Sequence, residues 1–189
     1  MRRSLTIALF MAGFATSGQA AILLFVGNLA PEVAGSSGSG SALVTYDSSA
    51  HTLEVSFTFN NLTGTTTVAH IHCCVDPPGT VAVATYPGTF PGFPAGVTSG
   101  SYTSPSPIDL TLDASYTAGF RTNFGGGTAA GSEAALIAGL QAGRAYLNVH
   151  TNFAAGGEIR DFLTQVPEPS SAALFAGAIA AVAVLRFRK

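Results

Sequence analysis

The chain has 189 residues, of which 47% are hydrophobic and only 10% charged, with 22 glycines and no tryptophan. Its formal net charge of −2 excludes the basic footprint that nucleic-acid binding requires. Abundant glycine, serine and threonine with almost no lysine is typical of a β-rich domain with many turns and argues against a helical bundle. We therefore expect an all-β protein with a single folded domain, flanked by an N-terminal and a C-terminal segment that do not belong to it.

The first 20 residues have the pattern of a secretory signal peptide. Two arginines follow Met1, and an apolar stretch then runs from Leu5 to Phe14. Small residues at Gly18 and Ala20 fit a cleavage site after Ala20. The apolar stretch is too short for a retained membrane anchor. We expect signal peptidase to remove residues 1–20 and the remainder to be exported.

Residues 21–165 alternate apolar and polar side chains, as antiparallel strands with one face on a core do. The clearest strand runs from His51 to Phe59, with its apolar residues all on one face. Most of Tyr86–Pro107, which is rich in proline and glycine, is expected to be loop. The other expected strands are Ile22–Val26, Ser41–Tyr46, Val68–Cys74, a short one near Ser101, Ile108–Leu112, Arg144–Thr151 and Gly157–Leu163.

One short helix is expected before the last hairpin, over residues 132–140. Ser132 can cap its start, Glu133 suits the positive end of the helix dipole, and Gly143 suits its exit. Its buried stripe would consist of Leu136, Ile137 and Leu140.

The stretch Val68–Cys74 contains two of the four histidines and both cysteines. Because side chains alternate along a strand, His70 and His72 point to one face, while Ala69 and Ile71 point to the other. Two imidazoles on one face can converge on a metal ion or on an acidic partner. This stretch is therefore the first candidate for a functional site.

The last two strands should pair as a hairpin. Asn148 and His150 lie on the face opposite the aliphatic residues of the first strand. A register that pairs Val149 with Ile159 places His150 opposite Glu158. If this hairpin shares a sheet with the first histidine strand, three histidines and Glu158 gather in one patch.

The segment Ala69-His70-Ile71-His72, followed far downstream by Tyr146–Thr151 and Gly157-Glu158-Ile159-Arg160, closely resembles the CHRD domain. That domain is named from chordin and also occurs in many exported bacterial proteins. The resemblance spans Leu23 to Leu163 and implies an all-β, immunoglobulin-like or barrel-like domain without an established enzymatic activity. The chain departs from the family at Cys73-Cys74, where a glycine commonly follows the second histidine.

The His-x-His strand is also similar to the copper-ligand strand of copper/zinc superoxide dismutases, which are exported β-sandwiches. By this resemblance, His150 would stand for a later copper ligand. The zinc-side ligands and the separated disulfide pair of those enzymes have no counterpart here. Four histidines cannot build the bimetallic site, so we do not expect dismutase activity.

Two interpretations of the histidines remain open. In the first, they bind one copper or zinc ion, with Glu158 as a further ligand or as a residue that orients one. In the second, they form a hydrogen-bonded network that stabilises the polar face of the sheet. We find no catalytic nucleophile with its base and no carboxylate pair for glycoside cleavage, so no enzymatic activity is assigned. The candidate residues are His70, His72, His150, Glu158, Asn148 and Arg160.

Cys73 and Cys74 are the only cysteines of the chain. Adjacent α-carbons lie about 3.8 Å apart, below the usual disulfide range, so a bond between the two requires strain. Export nevertheless favours oxidation. Free thiols beside His72 would instead be soft ligands for copper(I) or sites of intermolecular cross-linking. All three states remain open from the sequence.

Residues 166–189 form a second targeting segment. The triplet Pro167-Glu168-Pro169 precedes an apolar run from Ala172 to Leu185 and a basic end, Arg186–Lys189. Taken alone, this pattern indicates a membrane anchor with its basic end in the cytoplasm. Taken together, the three parts closely resemble the PEP-CTERM sorting signal of exopolysaccharide-producing Gram-negative bacteria. The resemblance implies that an exosortase cleaves near the triplet and releases or transfers the protein outward.

These observations predict an antiparallel β-sandwich or barrel, immunoglobulin-like or superoxide-dismutase-like, flanked by hydrophobic sorting helices. The protein would pass through the inner membrane and act at the cell surface or in the extracellular matrix as a non-enzymatic structural or binding module. One alternative is a mononuclear copper or zinc protein with a redox or metal-handling role. Another is an exopolysaccharide-binding module that stacks sugars on loop aromatics, namely Tyr86, Phe90, Phe93 and Tyr102.

Overall fold

A computed structural model describes residues 21–167 of the chain. The expected signal peptide lies outside this range, as does the C-terminal sorting segment from residue 168 onward. Between residues 21 and 167, no helix has the length and apolar character needed to span a bilayer.

Within the described range, eleven strands and two α-helices follow one another, with a 3₁₀ turn at Asp113–Ser115. The helices are α1 (Ala118–Asn123) and α2 (Ala129–Gln141). The strands are β1 (Ile22–Gly27), β2 (Ala30–Pro31), β3 (Ser39–Asp47), β4 (Thr52–Asn60), β5 (Thr66–Cys73), β6 (Val83–Thr85), β7 (Gly100–Thr103), β8 (Ile108–Asp109), β9 (Ala145–Thr151), β10 (Ile159–Phe162) and β11 (Thr164–Gln165).

The strands form two antiparallel sheets. The first has the order β11-β1-β3-β4-β7, with β8 also paired to β4, and the second has the order β2-β10-β9-β5-β6. The inner faces of both sheets contribute to one hydrophobic core, in which Phe25 and Val44 of the first sheet join Ile71 and Val149 of the second. The prediction of an all-β fold is therefore confirmed, and the two packed sheets form a β-sandwich.

Strand positions follow the sequence pattern closely where alternation is long. In β4 the alternate residues Leu53, Val55, Phe57 and Phe59 are all at most 2% exposed. The prediction for residues 108–112 was too long, because the Asp109 carboxylate accepts hydrogen bonds from the backbone and hydroxyl of Thr111 and turns the chain. Strand β6 was not predicted, since three residues are too few to show a period.

The helical prediction was correct in type but wrong at the start. Helix α2 begins three residues earlier, and Thr128 is its cap, accepting a hydrogen bond from the backbone of Gly131. Ser132 instead donates to the carbonyl of Thr128, as serine within a helix often does. Leu136 and Leu140 are fully buried as expected, whereas Ile137 is only half-buried. The six-residue helix α1 was not predicted.

A disulfide joins Cys73 to Cys74 at the end of β5. Helix α2 packs directly against it, and a Cβ atom added at Gly139 would overlap both sulfur atoms. The helix reaches the sheet at this point because residue 139 has no side chain. Of the three states that the sequence left open, the structure therefore contains the bonded one.

We expect Gly139→Ala to lower the free energy of unfolding by about 1–3 kcal/mol, because the methyl group forces α2 away from the disulfide. Gly119→Ala in α1 is the matched control, since a Cβ there meets no atom within 4 Å. The control should be neutral or stabilising by up to about 1 kcal/mol. Urea unfolding measures both; equal midpoints for the two variants would contradict the close packing at Gly139.

Candidate metal centre

The histidines are brought together by the pairing of β5 with β9. In this register His70 lies opposite Asn148, and His150 lies opposite Val68 on the next row of the same face. Ala69 and Ile71 of β5 and Leu147 and Val149 of β9 point the other way into the core and are fully buried. The predicted separation of histidines and aliphatics onto opposite faces is confirmed.

The three histidines form a compact group. One nitrogen each from His70, His72 and His150 lies within 4.8 Å of the others. The Nδ1 atom of His70 and the Nε2 atom of His150 are 3.3 Å apart. Two nitrogens bound tetrahedrally to zinc at about 2.0–2.1 Å are separated by about 3.3–3.4 Å. This pair already has the spacing that a shared metal ion requires.

Each of the three rings makes a hydrogen bond to a backbone carbonyl through one of its two nitrogens. A carbonyl only accepts hydrogen bonds, so the ring nitrogen that contacts it carries the hydrogen. The remaining nitrogen of each neutral ring then carries a lone pair, and carbonyl-bound histidines of this kind are typical of metal sites. The donors and acceptors are His70 Nε2 to Gly88 (2.8 Å), His72 Nδ1 to Val81 (2.7 Å) and His150 Nδ1 to Ala155 (2.9 Å).

Burial favours the neutral form of the His70 and His72 rings. Desolvation lowers the pKa of His72 to about 4 and also lowers the pKa of His70, although the carbonyl contacts oppose the shift. Because His70 Nε2 and His150 Nδ1 donate to carbonyls, the other nitrogens of these two rings face each other as acceptors. His72 Nε2 is buried without a hydrogen-bond partner. An unsatisfied buried acceptor costs about 1–3 kcal/mol. A cation among the three nitrogens would satisfy all of them.

The His72 ring packs against a row of stacked side chains formed by Tyr146 and Arg160. The ring of Tyr146 lies parallel to that of His72, with centroids 4.7 Å apart. The guanidinium of Arg160 lies 4.8 Å from the Tyr146 centroid on that row. Arg160 also donates to the carbonyls of Pro78 and Gly79. It thereby fixes the loop that supplies the Val81 carbonyl. Its positive charge also adds to the lowering of the His72 pKa that burial mainly causes.

The structure does not bring Glu158 to the histidines. The register that pairs Ile159 with Val149 is confirmed, but the Glu158 carboxylate turns to another set of groups. It is fully buried and cannot serve as the fourth ligand from this position. Its four donors are Thr63 N (2.6 Å), Gly64 N (3.1 Å), Ser36 Oγ (2.8 Å) and Thr151 Oγ1 (2.6 Å).

Asn148 also serves a separate network. Its amide donates to Glu32 at 3.0 Å and to the carbonyl of Gly156, and Glu32 pairs with Arg160 at 3.3 Å. These contacts tie the segment around β2 to β9 and β10. Sequence reasoning placed Asn148 and Arg160 near the site but missed Glu32, which carries no metal-ligand spacing of its own.

The cysteines do not contribute thiols to this centre. Cys73 is fully buried on the core face of β5, opposite the face that carries His72, and both sulfurs are bonded. The remaining histidine is also elsewhere: His51 Nδ1 lies 2.8 Å from the Glu133 carboxylate. Soft thiol ligation of copper, one of the states that the sequence left open, does not apply to the disulfide-bonded protein.

The loop aromatics do not form an open stacking surface. Phe90, Phe93 and Tyr102 are at most 8% exposed, and all three rings pack against Phe57. Only Tyr86 among the four predicted residues is half-buried. Three of the four aromatic residues proposed to stack on sugars are therefore too buried to contact one.

Comparison with known proteins confirms the predicted resemblance to the CHRD domain. The CHRD domain profile matches residues 25–163, which include both histidine strands and α2. No curated protein and no solved structure matches the chain significantly. The chain belongs to the CHRD domain family.

Proposed function

We propose that this CHRD domain is a metal-binding module that holds one copper or zinc ion with His70, His72 and His150. One observation carries the proposal: each of the three imidazoles donates one nitrogen's hydrogen to a backbone carbonyl, and the opposite nitrogens lie within 4.8 Å of one another. A purely structural network would instead be expected to place a donor opposite each acceptor.

The donor set limits the choice of ion. Imidazole suits zinc and copper, whereas magnesium and calcium prefer oxygen ligands. Zinc would add rigidity to the β5–β9 pair, and copper would also supply one-electron chemistry. We assign no catalytic step, because we identify no nucleophile or acid–base pair beside the histidines among residues 21–167.

We also propose that the protein is exported and sorted to the cell surface or extracellular matrix of a Gram-negative bacterium. The support is the signal-peptide pattern of residues 1–20 and the Pro-Glu-Pro, apolar and basic parts of residues 166–189. A disulfide is also more common in exported proteins than in cytosolic ones. Before an exosortase cuts the chain, the C-terminal segment would anchor it in the inner membrane. After the cut, the domain would act at the cell surface or in the extracellular matrix as a non-enzymatic binding module.

Elemental analysis of the exported protein, purified from the periplasm without chelator, tests the metal site. We expect near one equivalent of copper or zinc, and none in His70→Ala/His72→Ala, because two of three ligands are removed. His51→Asn is the matched control: it removes the one histidine outside the group, and asparagine tolerates the left-handed backbone at this position. The control should keep its metal.

Circular dichroism should show that the double variant remains folded. If the wild type contains no metal even after titration and dialysis, the metal site is wrong and the network interpretation replaces it.

A further inference from the structure

The outer face of the first sheet carries a group of exposed aliphatic side chains. All are large, and each keeps more than a third of its full exposure in the described part of the chain. We call this group the aliphatic patch; its members are Ile22 (45% exposed), Leu24 (38%), Val26 (40%), Leu43 (43%) and Val166 (36%).

The patch is contiguous across three neighbouring chain segments. Alternate residues of β1 point outward, while Phe25 between them is fully buried. Val26 lies directly opposite Leu43 on β3, and the backbone N–H of Val166 donates to Leu24 at 2.8 Å. Contiguous exposed apolar surface of this kind usually marks an interaction site.

The chain continues from the edge of this patch toward its most apolar segment. Five residues separate Val166 from Ala172, and they can reach at most about 20 Å when fully extended. The apolar run Ala172–Leu185 and its basic end then have the composition of a membrane anchor. If that run enters a bilayer, the patch lies at or close to the lipid surface.

The chemistry of the patch favours lipid over a protein partner. It contains only aliphatic side chains, whereas the centres of protein interfaces are enriched in aromatic residues and arginine. The nearest acidic groups on the same sheet are at its margin, with Asp47 opposite Ile22 and Glu54 on β4, the strand next to Leu43, opposite Thr45. Aliphatic groups of this kind enter the boundary between headgroups and acyl chains without needing hydrogen-bond partners.

We propose that the aliphatic patch rests on the membrane surface while the chain is anchored by its C-terminal segment. The proposal rests on the anchored precursor described under the proposed function, and it specifies which side of the domain faces the lipid. The second sheet, with its histidine group, would then face away from the bilayer, since it forms the other layer of the sandwich.

Depth-dependent fluorescence quenching tests this orientation. The chain has no tryptophan, so Leu24→Trp introduces a single reporter into the patch, and Leu43→Trp gives a second position on the neighbouring strand. Phe153→Trp, at a residue 47% exposed in the loop between β9 and β10, is the matched control. Each full-length variant is reconstituted into phosphatidylcholine vesicles with brominated acyl chains. We expect at least about twofold stronger quenching at both patch positions than at the control.

Flotation separates the two proposals. A chain that does not float with the vesicles would disprove the anchor and, with it, the docking of the patch. A chain that floats but shows equal quenching at all three positions would overturn the patch proposal alone. Blue-shifted patch emission without quenching would also overturn it, because the patch would then be covered by a second copy or by the protein's own tail.

Discussion

Glu158→Ala should lower the free energy of unfolding by about 3–5 kcal/mol, the largest loss expected from any single substitution here. The fully buried carboxylate accepts four hydrogen bonds, two from the backbone of Thr63 and Gly64 and two from hydroxyls. Removing it leaves all four donors without a partner. Urea unfolding monitored by circular dichroism measures the loss, and a change below about 1 kcal/mol would contradict this role.

The pH dependence of stability gives an independent check. Burial alone would raise the pKa of Glu158, but hydrogen bonds from Thr151, Thr63 and Gly64 outweigh it and hold the pKa below its ordinary value of 4.5. The contribution is therefore complete above pH 4.5 and is lost as the pH falls through the lower pKa of the folded state. Glu158→Gln keeps the shape without the ionisation, so its stability should fall less steeply below pH 4.5. Parallel profiles would contradict the assignment.

Metal should raise the thermal stability of the domain by an amount that depends on its concentration. An ion that binds only the folded state at about 1,000 times its dissociation constant adds about 4 kcal/mol. For a domain of this size the increase corresponds to a rise in Tm of roughly 10 °C. Differential scanning calorimetry of chelator-treated protein, with zinc or copper(II) added stepwise, measures it.

His150→Ala is the control for this titration, because it removes one of the two nitrogens that already have ligand spacing. Its Tm should stay nearly constant over the same range of metal concentration. An equal rise in both proteins would indicate binding elsewhere and count against the histidine group. No rise in the wild type would count against it as well.

The sequence predicts each histidine's face but not the distances between histidines. Alternation along a strand is local, so His70 and His72 could be placed on the polar face from seven residues alone. Their meeting with His150 depends on β5 pairing with β9 across 80 residues, and no local pattern encodes strand order. The supporting carbonyls of Val81, Gly88 and Ala155 could not be identified either, since every residue has a carbonyl.

Glu158 shows a different limit. Its place in the hairpin was predicted correctly, because the register follows from which residues are aliphatic. Its side-chain direction was not, because the donors Ser36 and Thr63 come from loops more than 90 residues earlier. The close approach of Gly139 to the disulfide is likewise a tertiary contact. A helical pattern places that glycine on a helix without indicating what it touches.

The long separation between the two histidine strands has a consequence for how the protein would acquire its ion. His150 leaves the ribosome well after His72, and the ligand set is complete only once β9 has joined β5. If an ion binds there, loading would therefore follow folding instead of guiding it, unlike in small domains whose fold depends on metal from the start. Because copper binds most N-donor sites more tightly than zinc does, the metal supply of the compartment where the sheet closes would determine which ion is bound.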